Sequence, residues 1–246
     1  MTNYLEPARP FYETHDGVAR DTEPGLRVVT FNVKEGQKIS EAITALGRHP
    51  DLRDADVVLL QEMNAEGVAA VAKALRMNSA YFPATRQPGG GPDWGNAVLS
   101  PWPIEEPRKI LLPHLGRVRR RGRIATSVLV RYRSSLVRVY STHLGSLWDM
   151  GEASRRDQAT RILDDADRNR DPVVVAGDFN SETVGQLFEA RGYCWPTRGV
   201  GPTIHRFSVD HLFARGLCGA PGAARGGVAS DVKDASDHRP VWAILG

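Results

Sequence analysis

Residues 173–182 read VVVAGDFNSE. Three β-branched valines after Pro172 favour a pleated backbone, and a continuous apolar run of this length suits a strand buried on both faces. The core side chains stop at Ala176. Gly177 lets the chain turn or be approached closely, and Asp178 and Asn180 follow two residues apart, so an extended backbone points a carboxylate and an amide the same way. A turn that caps the following helix accounts for the same residues, since Asn180, Ser181 and Thr183 are good cap or turn residues.

Recurrence along the chain weighs against a simple cap. Residues 26–33 (LRVVTFNV) form a strand with Asn32 near its carboxyl end, and residues 56–62 (DVVLLQE) form a buried strand that stops at Gln61 and Glu62. Residues 124–132 and 136–143 pair across the Arg133-Ser134-Ser135 turn, and the second strand ends at His143. Residues 208–214 form a strand that carries Asp210, and within residues 235–245 (ASDHRPVWAIL) Asp237 and His238 precede the closing strand. Apolar residues at helical spacing predict helices over 38–46, 64–77 and 152–166, with another near 183–190. A short extended piece begins at 81–83, and strand 96–100 is ended by Pro101 and Pro103.

The connecting segments have their own character. Residues 86–95 (RQPGGGPDWG) are a loop whose glycines lack the following Lys-Ser/Thr and helix of a P-loop. Residues 117–123 (RVRRRGR) are the densest charge run, either a solvated loop or a phosphate contact, with Arg121 and Arg123 nearest the next strand. Residues 145–151 form a loop with Trp148 and Met150. Residues 1–25 read as an irregular arm and 26–246 as a single domain without repeats.

Composition sets the bounds. The 246 residues are 41% hydrophobic and carry a formal charge of +3, mildly basic and compatible with a polyanionic partner. No segment approaches the roughly 18 apolar residues of a membrane span, which predicts a soluble cytoplasmic protein with no transmembrane segment and no obligate protein partner. Cys194 and Cys218 lack metal-ligand spacing and are expected to be free thiols in a reducing compartment.

A site of Asn, Glu and Asp with few sulfur ligands suits a hard cation, Mg²⁺ or Mn²⁺ rather than zinc. The histidines suit proton transfer, with an Asp fixing the tautomer of a His. The segments TFNV (Asn32), LLQE (Glu62), WGNAVLS (Asn96), YSTHL (His143), VAGDFN (Asp178, Asn180), VDHLF (Asp210) and SDHRPV (Asp237, His238) resemble, in order and spacing, the endonuclease/exonuclease/phosphatase superfamily. The resemblance implies an α/β four-layer α/β/β/α sandwich, with two mixed β-sheets face to face and helices outside. It also implies metal-dependent phosphoester hydrolysis at one end of the sheets. By the same resemblance Glu62 is the principal metal ligand, assisted by Asn32 and Asp237, and His238, oriented by Asp210, is the general base or the phosphate-polarising imidazole. Asp178 and Asn180 would position the water and the phosphate, while His143 would bind phosphate or help protonate the leaving oxygen. Ser141-Thr142-His143-Leu144 stands where the apurinic-site nucleases carry a Tyr-x-Pro-Asn type segment, so the chain resembles the deoxyribonuclease/sphingomyelinase-like branch.

Three functions follow as expectations. The first is a Mg²⁺-dependent phosphodiesterase on nucleic acid, with Asn96, Arg121, Arg123 and Trp148 on the substrate and Trp148 as a stacking platform. The second is a phospholipid or phosphoinositide hydrolase that uses Leu111, Leu112, Leu115, Trp148 and Met150 at a membrane surface. The third is a catalytically dead scaffold, which the presence of every motif acid and both histidines disfavours.

Overall fold

Apolar runs alternating between two faces build two β-sheets in the computed structural model, which describes residues 2–19, 25–220, 222–232 and 234–246. In chain order the strands are β1 (Thr2–Asn3), β2 (Tyr12–His15), β3 (Leu26–Asn32), β4 (Val57–Met63), β5 (Asn78–Arg86), β6 (Asp93–Ser100), β7 (Ile104–Leu111), β8 (Ile124–Tyr132), β9 (Ser135–His143), β10 (Val173–Asp178), β11 (Asp210–Arg215), β12 (Arg225–Val228) and β13 (Val241–Leu245). The helices are α1 (Ile39–Arg48), α2 (Ala65–Leu75), α3 (Glu152–Ala166) and α4 (Gly185–Glu189). One sheet runs β1-β5-β6-β4-β3-β13-β12, with β2 also paired to β5, and the other runs β11-β10-β9-β8-β7.

The period of two in each strand explains the layering. In β10, Val174 and Ala176 face the other sheet and join Val28, Val57 and Leu59 in a shared inner core, while Val173 and Val175 face outward under α3 and α4. On the opposite outer face, Phe31, Val58 and Leu60 pack beneath Ala42 and Leu46 of α1 and Val68 and Val71 of α2. The result is helix, sheet, sheet, helix, as the resemblance implies.

Several local expectations change. The arm is not irregular throughout: β1 and β2 both add to the β5 edge, with Asn3 opposite Thr85 and Tyr12 opposite Tyr81. The part of the arm at Met1 and residues 20–24 lies outside the described residues. The extended piece at 81–83 is the middle of a nine-residue strand. β7 escapes the sequence because its polar IEEPRKIL text has no clean alternation, and an irregularity between Glu105 and Arg108 accommodates Pro107 at this sheet edge. Cys194 and Cys218 are not free thiols but form a disulfide, since the return of the chain after β11 brings their Cα atoms to 6.0 Å. Among the described residues no helix is long and apolar enough to cross a membrane.

Candidate active site

Strand register gathers the polar strand ends. β9 and β10 run parallel with His143 opposite Asp178, and β11 runs antiparallel to β10 with Asp210 opposite Asp178. Three motif residues far apart in sequence therefore lie in one row across the sheet. In the facing sheet β3 and β4 run parallel with Asn32 opposite Gln61, which brings Glu62 to the same rim. The pairing of β4 with β6 shifts between Leu60 and Met63, and Glu62 sits within that irregularity at φ 59°, a left-handed conformation that re-aims its carboxylate.

The β9–β10 approach depends on Gly177. At φ 152° a Cβ there would lie 1.9 Å from the Thr142 carbonyl oxygen, so only glycine lets the strands close in this register. Asp178 then becomes the hub. Its Oδ2 accepts from Asn32 Nδ2 at 3.1 Å and lies 3.2 Å from His143 Nε2 and 3.8 Å from His238 Nε2, while its Oδ1 accepts the Asn180 amide at 2.9 Å. His238 Nδ1 pairs with Asp210 Oδ2 at 2.8 Å. Asn32 Nδ2 also donates to Glu62 Oε1 at 3.3 Å, and the other Glu62 oxygen accepts the Glu35 amide at 3.1 Å. Asn180 is buried, with its Nδ2 donating to the Leu144 carbonyl at 3.4 Å.

Burial dominates the electrostatics and splits the two histidines. Burial, then Arg123, His238 and Arg121, hold His143 well below its ordinary value, so it is neutral. Burial also works against charge on His238, but Asp210 and Asp178 outweigh it and raise the imidazole to about 10. Desolvation and the Asp210 charge push the Asp178 carboxyl up to about 7. Burial raises Glu62 against the pull of Arg123 and Asn32.

Glu62, His143, Asp178, Asn180 and His238 line a cleft of about 550 Å³ with Glu35, Trp94, Arg121, Arg123, Trp148 and Asp237, and Asn32 and Asp210 support it without lining it. The Arg121 and Arg123 guanidinium carbons lie 4.1 and 5.0 Å from the Trp94 ring centre, and Trp94 meets His143 edge-on. Trp148 stands at the rim, 92% exposed. Asp237 pairs with Lys34 Nζ at 3.2 Å, and the neighbouring Ser236 hydroxyl donates to the Asn32 carbonyl at 2.7 Å, tying that loop to β3. Asn96 stands apart. It does not line this cleft; its Nδ2 donates to the Ile124 carbonyl at 2.9 Å and braces the strand that follows Arg123. Leu112 and Met150, expected on a membrane-touching surface, are buried, and the exposed apolar residues on this side are Leu115, Val118 and Trp148.

Sequence reasoning overlooked Trp94 and Glu35. An aromatic beside Gly95 at the start of a strand was a usable signal for Trp94. Glu35 carried none, because its place depends on a φ of 55° in the turn after β3.

A divalent cation fits the donors present. Glu62 is a half-buried carboxylate whose closest basic group among the described ion pairs is the neutral His143, 3.8 Å from its Oε1, and Asp178, Asp210 and His238 form a second cluster of potential ligands. Oxygen donors predominate in both groups, as a hard cation requires.

A two-sheet sandwich with carboxylates, amides and a His–Asp pair gathered at one end of the strands defines a hydrolase of phosphoric esters. Residues 29–238 match the model of the Endonuclease/Exonuclease/phosphatase family, and the chain belongs to that family. Its members hydrolyse phosphoester bonds and generally use a divalent metal. No curated protein sequence matches the chain. The fold is similar to that of an endonuclease/exonuclease/phosphatase from Bacteroides vulgatus, at 16% identity and TM-score 0.72 over 91% of this chain and 99% of that one. It is also similar to the Bacteroides thetaiotaomicron mannosyl-6-phosphatase, at 17% identity and TM-score 0.66 over 90% and 99% of the two chains. The human Nocturnin catalytic domain is similar too, at 16% identity and TM-score 0.66 over 96% and 97%.

Proposed function

We propose that the chain is a Mg²⁺- or Mn²⁺-dependent phosphodiesterase that cleaves nucleic acid. The observation that carries this reading is the pair Arg121 and Arg123, held against Trp94 in the same cleft as Asp178 and His238. Two guanidinium groups offer a backbone phosphate charge and hydrogen bonds, and the exposed Trp148 at the rim offers a face on which a base can stack.

Glu62 and Asn32, with Asp237, would hold the cation, which supplies positive charge to the phosphate and leaving oxygens. The chain's own groups divide the remaining work. Asp178, raised toward neutrality, accepts a proton from water as the water oxygen bonds to phosphorus and the ester P–O bond breaks, the leaving oxygen keeping that bond's electron pair and taking its proton from solvent. His238 is charged and oriented by Asp210, so it donates to a phosphate oxygen and stabilises the developing charge rather than serving as the base. His143, neutral, donates from Nε2 to Asp178 and holds the carboxylate in place, while Asn180 fixes the water and phosphate.

The lipid-directed reading loses Leu112 and Met150, which belong to the interior. The bond between Cys194 and Cys218 weighs against the expected cytoplasmic location, because disulfides persist in oxidising compartments. The test is cleavage of single- and double-stranded DNA and RNA at low salt with Mg²⁺ or Mn²⁺, repeated with Arg123→Ala. Metal-dependent cleavage that salt and the substitution both weaken supports the reading, and absence of cleavage on all four substrates refutes it.

A further inference from the structure

The segment carrying Arg121 and Arg123 is gripped from an unexpected side. Asn3 spends both ends of its amide on the peptide groups around Arg121: Nδ2 donates to the Arg120 carbonyl at 2.9 Å, and Oδ1 accepts the Gly122 amide at 2.8 Å. The next residue of the arm holds the other half of the cation–π arrangement. Tyr4 Oη donates to Asp93 Oδ1 at 2.7 Å, and Asp93 immediately precedes Trp94. Consecutive arm residues therefore bind the strand that carries the ring and the loop that carries the guanidinium groups.

The arm itself is anchored at several points. β1 pairs with the end of β5, the Thr85 hydroxyl donates to the Thr2 carbonyl at 2.9 Å, and the Tyr4 amide donates to the Ala84 carbonyl at 2.9 Å. From below, the buried Lys109 ammonium of β7 donates to the carbonyls of Arg9 at 2.5 Å and Tyr4 at 3.4 Å. Gly122 completes the fit, because a Cβ there would come within 3.3 Å of Asn3 Oδ1 and 3.4 Å of its Cγ. On its far side the arginine segment is held by Asp149, whose carboxylate accepts the Val118 amide at 2.5 Å. Without Asn3 the loop's backbone would keep the Asp149 contacts on that side, while its side chains reach Trp94 and, from Arg121 Nη2 at 3.9 Å, Glu35 Oε1.

We propose that the N-terminal arm is a positioning element of the substrate site, in which Asn3 and Tyr4 clamp the Arg121–Arg123 segment and the Trp94 strand so that both arginines stay aimed into the cleft. Asn3 touches no reacting atom; it acts through the arginines. The proposal rests on the reading that Arg121 and Arg123 bind substrate.

The experiment uses the full chain, Mg²⁺ and bis(4-nitrophenyl) phosphate as the probe, with Asn3→Ala, Asn3→Asp, Arg121→Ala and Arg123→Ala. It combines steady-state kinetics with amide hydrogen exchange over residues 117–123. Asn3→Ala is expected to raise KM about fivefold or more with kcat within about twofold, and to speed exchange at Gly122 about tenfold. Asn3→Asp keeps the acceptor for the Gly122 amide and loses the donor, so it restores part of the KM and of the protection. A purely structural arm would move the melting temperature without this KM-against-kcat split. The proposal is overturned if both arginine variants raise KM while Asn3→Ala leaves KM and exchange as in the wild type. If the arginine variants leave KM unchanged while Asn3→Ala still frees the 117–123 amides, the substrate reading has failed and the clamp is structural only.

Discussion

Replacing Asp210 with Asn exchanges one oxygen for a nitrogen at nearly constant volume and removes the charge that faces His238 Nδ1 at 2.8 Å. With that charge present, and despite burial, the imidazole is raised to about 10 and is protonated throughout the neutral range. Once it is gone, burial acts against Asp178 and the weaker pull of Asp237, and the group falls back toward its ordinary value of about 6.5. At pH 7.5 the protonated fraction then drops from nearly all to about one tenth. Loss of the charge-assisted hydrogen bond that orients the ring adds about another 10- to 100-fold. The expected fall in kcat on a chromogenic phosphodiester at pH 7.5 with saturating Mg²⁺ is therefore about 10²- to 10³-fold. Because part of the loss is protonation, the ratio of wild-type to variant rates should shrink by about tenfold between pH 7.5 and pH 5.5, where the variant imidazole recovers its proton. A loss below about threefold at every pH would refute the role of Asp210. A large loss that is the same at every pH would refute the assignment of His238 as a charged donor.

Glu62→Gln should weaken Mg²⁺ binding by about 100-fold in calorimetry without lowering the metal-free melting temperature, because the carboxylate it removes is one that burial already disfavours. Metal binding by the wild type should release protons, since Glu62 and Asp178 both hold protons more tightly than ordinary carboxylates; apparent affinity rises as pH approaches about 7, and calorimetry in two buffers of different ionisation enthalpy reads the release. Gly177→Ala should cost about 3 kcal/mol or more in urea unfolding, because its Cβ would lie 1.9 Å from a backbone oxygen at a φ of 152°; a cost under about 1 kcal/mol would mean that β9 and β10 can re-register. Reducing the Cys194–Cys218 bond, which spans 24 residues of sequence, should lower stability by about 3 kcal/mol in the same assay, and an unchanged midpoint would argue against the bond.

The strand ends were legible because the signal is local. An apolar run that stops at Asn32, Glu62, His143 or Asp178 marks where a buried strand reaches the rim of a sheet, whatever it pairs with. The helices were legible for the same reason, and α3 falls on residues 152–166 as its periodicity predicts. Polar edge strands were not legible, whereas the apolar edge strand β11 was. β1, β2 and β7 have polar sequences because edge strands meet solvent on one side, and their strand character comes from the partner they pair with.

By itself the sequence determined where most strands and helices lie and which polar groups end the strands, since burial pattern and side-chain chemistry are properties of short segments; the layered sandwich was what the resemblance to the superfamily implied. Tertiary structure alone decided what those groups do to one another. Register set His143, Asp178 and Asp210 in one row, and burial with two neighbouring carboxylates charged His238 while burial among cations left His143 neutral. The docking of an arm against β5 brought Asn3 to Arg120 and Gly122, and the return of the chain past β11 joined Cys194 to Cys218. Each of these depends on distances between residues remote in sequence, which only the folded chain sets.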